Sequence, residues 1–150
     1  MVDRAVRTLR EGGCEPVVAV LGAWVGDVPD AEVTVNDQWQ EGMGSSLRVG
    51  LAYLSENPGV TSVIITLVDI PGMTSAAIRR LVTIDAPLAV ATYRGENGHP
   101  VRIDRDLWPK AMSVAVGDQG ARRLLADSSD VVWVAMDDVS DGRDLDSPTD

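Results

Sequence analysis

Ser62-Val63-Ile64-Ile65-Thr66-Leu67-Val68, followed directly by Asp69-Ile70-Pro71-Gly72, is the stretch that decides the fold class. Val, Ile and Leu dominate its first seven residues, and Pro and Gly end it. A short apolar run with such an ending is typical of a strand covered on both faces, as in a parallel sheet. Helical spacing of apolar residues precedes it near 45–54 and follows it near 75–84.

The same alternation continues in both directions along the chain. Further apolar runs predict strands at 17–21, 33–35, 88–93 and 131–136, with helices near 2–10 and 117–125. We expect a polar loop at 94–99, and an edge strand or hairpin arm at 101–103. No repeat or linker divides the sequence. It therefore predicts a single domain over 1–150 with α/β class, a three-layer sandwich around a mostly parallel, Rossmann-like sheet.

Composition excludes several classes of protein. Hydrophobic residues make up 45% and charged residues 24%, as in globular proteins, and the net charge is −10. That charge disfavours nucleic acid and anionic membranes as partners. The single cysteine, Cys14, excludes an internal disulfide, and no apolar run is long enough to cross a bilayer. We expect a cytoplasmic protein; the sequence does not indicate its oligomeric state.

Asp69 is the principal candidate for chemistry. In open α/β sheets ligands bind beyond the carboxyl ends of the strands, and Asp69 follows the predicted strand 62–68 directly. A carboxylate in that place can bind Mg²⁺ through oxygen. It can equally cap the helix predicted to begin near Thr74, and the sequence alone leaves both interpretations open.

Other candidates have weaker signals. Asp144 and Asp146 lie in an acidic segment that is either a solvated tail or the source of a second metal ligand. His99, the only histidine, serves either a structural hydrogen bond or catalysis. Gly42-Met43-Gly44-Ser45-Ser46 enters a helix, where it is either an ordinary cap or a site for an anion or a planar base. No P-loop, dinucleotide fingerprint or Gly-x-Ser-x-Gly elbow is present.

Five further segments matter when they are taken in order: 36–47 (NDQWQEGMGSSL), 67–74 (LVDIPGMT), 94–101 (RGENGHPV), 117–122 (GDQGAR) and 144–150 (DLDSPTD). They are spread across nearly the whole chain and are specific as a set. Together they resemble the MobA-like NTP transferase family, and within it the molybdenum-cofactor cytidylyltransferase branch.

The resemblance implies a sheet of the nucleotide-diphospho-sugar transferase type and a Mg²⁺-dependent transfer. A nucleotidyl group, cytidylyl from CTP, would pass to a phosphorylated acceptor such as molybdopterin cofactor, with release of pyrophosphate. By resemblance, Asp69 is the catalytic metal ligand and Asp146 the second ligand to Mg²⁺. The remaining implied residues are Gly42, Met43 and Ser46 near the nucleotide base, and His99, Asp118 and Arg122 on the acceptor side.

The sequence also departs from the family pattern. Family members begin with a strand leading into Leu-Ala-Ala-Gly-x-x-x-Arg-Met-Gly-x-x-Lys, which holds the triphosphate, and this stretch is absent here. We therefore expect an N-terminally truncated domain with its first strand missing and its transfer activity impaired. One alternative is a non-catalytic scaffold or binding protein of the same fold. Another is an NAD(P)H-dependent reductase, since some relatives of this pattern are named nicotine blue oxidoreductases.

Overall fold

A computed structural model describes residues 2–70, 72–117, 122–126 and 128–140, the side chain of residue 122 excepted. Helices and strands alternate along most of this length. In chain order they are α1 (Val2–Glu11), β1 (Val18–Leu21), β2 (Glu32–Val35), α2 (Met43–Ser55), β3 (Ser62–Ile65), α3 (Ser75–Val82), β4 (Leu88–Tyr93), β5 (Glu96–Asp104), α4 (Trp108–Val114), α5 (Arg122–Ala126) and β6 (Val131–Ala135). Short 3₁₀ turns precede α2 and α4.

The strands of the described residues form two separate sheets. β1 and β2 pair in parallel, with Val18 opposite Glu32 and Leu21 opposite Val35. The other four strands follow the order β3-β5-β4-β6, in which β4 and β6 are parallel and β5 is antiparallel to both of its neighbours. The predicted α/β class is confirmed, and the larger sheet is mixed.

β5 accounts for the antiparallel part of that sheet. Arg94 and Gly95 have φ values of 54° and 80°, and this left-handed pair makes the tight turn of a β4–β5 hairpin. The strand then begins at Glu96, within the segment expected to be a loop. The prediction of a hairpin arm at 101–103 is confirmed, but the alternative of an edge strand is wrong because β5 pairs on both sides.

A cavity of about 250 Å³ separates the two sheets. Val17 and Val18 at the start of β1 line it on one side, and Ser62, Val63 and Ile64 of β3 line it on the other. β1 pairs only with β2, and β3 pairs only with β5, so each has an edge without a partner strand among the described residues. All four residues of β3 are partly exposed rather than buried.

Aliphatic side chains make up most of the core, and its largest buried side chain is Trp108, which is 1% exposed. Leu88, Val90 and Ile103 are buried on one face of the larger sheet against α2 and α4. On its other face Ala89 and Ala91 pack with α3. Helices therefore cover both faces of the larger sheet at β4 and the second half of β5, whereas β3 and most of β6 are at least partly exposed. No helix in the described part of the chain is long and apolar enough to cross a membrane.

Candidate functional site

The carboxyl ends of three strands, β3, β4 and β6, lie at the same end of the larger sheet, which we call the Asp69 edge. β3 and β4 are both antiparallel to β5 and therefore parallel to each other, and β6 is parallel to β4. Asp69 follows β3 at this edge. Because Val101 pairs with Ile65, His99 lies two residues beyond the paired end of β3, on the side of Asp69. The fold thus brings together two predicted residues that are thirty positions apart.

The prediction that Asp69 directly follows a strand over 62–68 is wrong, because β3 ends at Ile65 and Asp69 lies four residues beyond it, in a turn, where it is partly exposed. The residue that caps α3 is Thr74, whose Oγ1 accepts a hydrogen bond from the Ala77 N–H at 3.2 Å. The interpretation of Asp69 as the helix cap is therefore excluded. Within the described residues no hydrogen bond or salt bridge to the Asp69 carboxylate is found, which leaves its oxygens available for a ligand.

His99 is held in β5 by its neighbours. The Tyr93 hydroxyl donates to the His99 carbonyl at 2.6 Å. The Tyr93 ring packs so closely on Gly98 that a Cβ at this position would be only 2.8 Å from the ring. Burial lowers the pKa of His99 below its ordinary value, and the negative charge of nearby Asp69 opposes part of that shift. A lowered pKa favours the neutral imidazole, a form that can accept a proton or a hydrogen bond.

A small cavity lies behind this edge, between α1 and the segment that leads to Asp69. Its volume is about 40 Å³, and Arg4, Thr8, Thr66, Leu67 and Val68 are among the residues that line it. The Thr66 hydroxyl is buried and has no hydrogen-bond partner in the described part of the chain. Arg4 contributes positive charge that sequence reasoning missed, since its place on a charged amphipathic helix gives no signal of a role.

The second group of predicted residues lies at the start of α2. Gly42 is the residue before the helix, with φ 108°, a left-handed value that favours glycine. Met43 is 41% exposed and Ser46 is partly exposed. Sequence reasoning missed Asn36, which is buried and donates to the hydroxyls of Ser45 and Ser46. The signal was an Asn directly after a strand and ahead of a Ser-Ser pair.

Three predicted site residues cannot be compared with the structure. Asp118 and Asp146 lie outside the described residues, and of Arg122 only the backbone is described, at the start of α5. The described chain before Asp146 does reach the Asp69 loop. The Thr74 hydroxyl donates to the Val139 carbonyl, and the Ser140 hydroxyl donates to the Gly72 carbonyl, both at 2.7 Å.

A divalent cation needs several oxygen or nitrogen ligands close together. No cluster of three or more His, Cys, Asp or Glu residues is present within residues 2–70, 72–117, 122–126 and 128–140. The Asp69 carboxylate is partly exposed and has no hydrogen-bond or salt-bridge partner among these residues, and carboxylate oxygens are ligands that Mg²⁺ and Mn²⁺ take. The described residues thus supply one suitable oxygen ligand here and not a complete ligand set.

Comparison with known proteins shows related sequences and folds. The family model described as "MobA-like NTP transferase domain" matches residues 1–132. A nicotine blue oxidoreductase from Paenarthrobacter nicotinovorans is 32% identical over an alignment of 163 positions, which covers 98% of this chain and 78% of that protein.

Solved structures agree on the architecture. Rv0371c from Mycobacterium tuberculosis H37Rv, in a complex with manganese, superposes with a TM-score of 0.77 and 24% identity over 95% of this chain and 78% of the other. A nucleotidyl transferase from Methanothermobacter thermautotroptrophicus superposes with a TM-score of 0.71 and 20% identity over 87% of this chain and 67% of the other. At these identities the likeness establishes the fold.

Proposed function

Because this chain belongs to the MobA-like NTP transferase domain family, we propose that it binds CTP together with Mg²⁺ at the Asp69 edge of the sheet. The parent reaction is transfer of the cytidylyl group to a phosphorylated acceptor such as molybdopterin cofactor. The observation that carries the proposal is the Asp69 carboxylate in the turn after β3, which has no hydrogen-bond or salt-bridge partner in the described part of the chain and lies near His99. A CTP-dependent reaction suits the cytoplasmic location predicted from the sequence.

Each group of residues has a role in this proposal. Gly42, Met43 and Ser46 contact the base, because a helix start with a left-handed glycine lets a ring approach the backbone. His99, Asp118 and Arg122 serve the acceptor side. The acceptor phosphate oxygen bonds to the α-phosphorus while the bond to the β-phosphate breaks and pyrophosphate leaves. Mg²⁺ held by Asp69 would neutralise charge on the phosphates.

Asp146 is proposed as the second carboxylate. Its support is the path of the described chain, because Ser140 is hydrogen-bonded to Gly72, three residues after Asp69. Six further residues in extended form reach about 20 Å, which is ample for Asp146 to return to the Asp69 edge. The manganese in the Rv0371c complex indicates that a protein of this fold binds a divalent ion.

We infer that transfer by these 150 residues is impaired. A triphosphate needs cations and backbone N–H groups, yet the net charge is −10, only one lysine is present, and no glycine-rich loop follows a strand. Among the described residues the edges of β1 and β3 have no partner strand, and the cavity between the two sheets is consistent with a missing strand in this part of the structure. Arg4 is the described cation best placed to compensate, since it lines the cavity beside Thr66–Val68.

A titration tests the proposal. ¹H–¹⁵N spectra of the chain are recorded with CTP up to millimolar concentration, with and without Mg²⁺. We expect Mg²⁺-dependent shifts that are lost in Asp69→Asn. Asp85→Asn is the matched control, because Asp85 is an exposed acid at the opposite, amino end of β4. Silence of the parent chain at millimolar CTP would instead favour a non-catalytic scaffold.

A second candidate rests on the named relative. Nicotine blue oxidoreductase, at 32% identity, favours binding of a reduced nicotinamide cofactor and a reductase activity. The same spectra recorded with NADPH separate the two functions. Shifts with NADPH that need no Mg²⁺ and survive Asp69→Asn would favour the reductase over the transferase.

A further inference from the structure

Asn36 is one of few polar residues buried in the described part of the chain, with 2% of its surface exposed. It follows β2 directly and stands ahead of α2. Its side chain makes three hydrogen bonds. The carbonyl oxygen accepts from the Gln38 N–H at 2.9 Å, and the amide nitrogen donates to the hydroxyls of Ser45 at 2.8 Å and Ser46 at 3.0 Å.

Chemistry fixes the orientation of this amide. A backbone N–H can only donate, so the oxygen of Asn36 must face Gln38, and both amide hydrogens must then face the two serines. Each serine oxygen therefore accepts one hydrogen bond from Asn36. Each serine hydroxyl also has one proton, which it can donate to a different acceptor.

The two serines differ in where that proton goes. Ser45 is 2% exposed, and its hydroxyl donates to the Gly42 carbonyl at 2.7 Å. Ser46 is partly exposed, and within the described residues no protein acceptor takes its proton. Accepting a bond from Asn36 also polarises the Ser46 hydroxyl and strengthens it as a donor. Ser46 thus presents a hydrogen-bond donor to its surroundings.

We propose that Asn36 is a positioning residue that directs the Ser46 hydroxyl proton toward an acceptor atom of the bound nucleotide base. This inference rests on the proposed function, in which Ser46 lies near the base. It adds the polarity of the contact: Ser46 recognises a base carbonyl or an unprotonated ring nitrogen, both of which a cytosine offers, rather than an amino group. Asn36 itself does not touch the ligand.

Substitutions that reverse or remove the donor test this inference in the CTP titration with Mg²⁺. Asn36→Asp keeps the bond from Gln38 but turns both serine hydroxyls inward, because a carboxylate only accepts. We expect it to weaken CTP binding about three- to ten-fold, as Ser46→Ala does, from loss of one hydrogen bond. Ser46→Ala in the Asn36→Asp background should cause no further loss, whereas independent structural damage would add.

Two further variants serve as controls. Ser46→Thr keeps the hydroxyl and should lose less affinity than Ser46→Ala, and Ser55→Ala, at the other end of α2, should leave affinity unchanged. If Asn36→Asp does not fold, these two and Ser46→Ala still decide the matter. The inference is overturned if Ser46→Ala binds CTP with the affinity of the parent chain, or if the affinity losses of Asn36→Asp and Ser46→Ala add in the double variant. The proposed function stands in both cases. No CTP binding by the parent chain overturns both.

Discussion

The Asp69 carboxylate lies close enough to the His99 imidazole to raise its pKa against the stronger, lowering effect of burial. Asp69 comes from the turn after β3 and His99 from the neighbouring antiparallel strand β5. In the proposed function the carboxylate is the ligand for the metal ion and the imidazole is a group that can accept a proton. This pair is the part of the proposed site that the fold itself assembles.

The pKa of His99 should lie below 6.5 in the folded protein, because burial disfavours the imidazolium. Asp69→Asn should lower it further, since the substitution removes the negative charge that favours the protonated form. His99 is the only histidine, so its ring signals in a ¹H NMR pH titration are unambiguous. An unchanged or higher pKa in Asp69→Asn would show that the two side chains do not interact.

Unfolding free energy should fall as the pH is lowered below about 6.5, the ordinary pKa of histidine. The lowered pKa of folded His99 means that the unfolded chain binds more protons between the two values. His99→Gln should remove this part of the pH dependence and leave only that of the carboxylates. Urea unfolding at pH 7.5 and pH 5.5 measures the difference, and identical slopes in both proteins would contradict the prediction.

Gly44→Ala should destabilise the protein by about 1–3 kcal/mol, the usual cost of overpacking. A Cβ at Gly44 would lie 2.8 Å from the backbone of Ala115 and Val116, which cannot rotate away. Gly50→Ala is the matched control in the same helix. Its new Cβ would meet only a Val20 methyl at 3.2 Å, and alanine favours the helix. Equal free energies of unfolding for the two variants, measured with urea, would refute the close contact between Gly44 and the backbone of Ala115 and Val116.

Amide hydrogen exchange should be faster in β1 and β3 than in β4 and β5. β4 and β5 pair on both sides, whereas β1 and β3 each have an edge that opens onto the cavity of about 250 Å³. Amides without a partner strand exchange through smaller openings. Residue-resolved exchange by NMR measures this. Uniform protection of all four strands would mean that the two edges are covered in solution.

The Cys14 thiol should react slowly, although it lines the same cavity. Burial raises its pKa to about 11, so at pH 8 only about one thiol in a thousand is ionised, roughly 100-fold less than for an ordinary cysteine. Reaction with an aromatic disulfide reagent, compared in native and urea-unfolded protein, checks this. A native rate equal to the unfolded rate would contradict it.

The sequence predicted what depends on local pattern. Asp69 was found because an apolar run ends in Asp-Ile-Pro-Gly, although the strand itself ends at Ile65, three residues before the end of the predicted strand 62–68. β5 was largely missed, because Glu96 to His99 has no strand pattern and becomes a strand only through pairing with β4 after the Arg94–Gly95 turn. Asn36 was missed because its bonds to Ser45 and Ser46 span nine and ten residues, and only the folded backbone brings them together.

β3 shows a related limit of sequence reasoning. Its composition predicted burial on both faces, yet Ser62–Ile65 are partly exposed, because one edge of the strand faces the cavity rather than another strand. Apolar composition indicates which residues can be buried. It does not indicate which strand or helix buries them.

Mn²⁺, used as a paramagnetic substitute for Mg²⁺, tests most directly whether Asp69 holds a divalent cation. Addition of substoichiometric Mn²⁺ should broaden the amide signals of residues 66–70 and 97–99 selectively, and Asp69→Asn should abolish that broadening while Asp85→Asn preserves it. Broadening that is centred elsewhere, or that persists unchanged in Asp69→Asn, would contradict the proposed metal site.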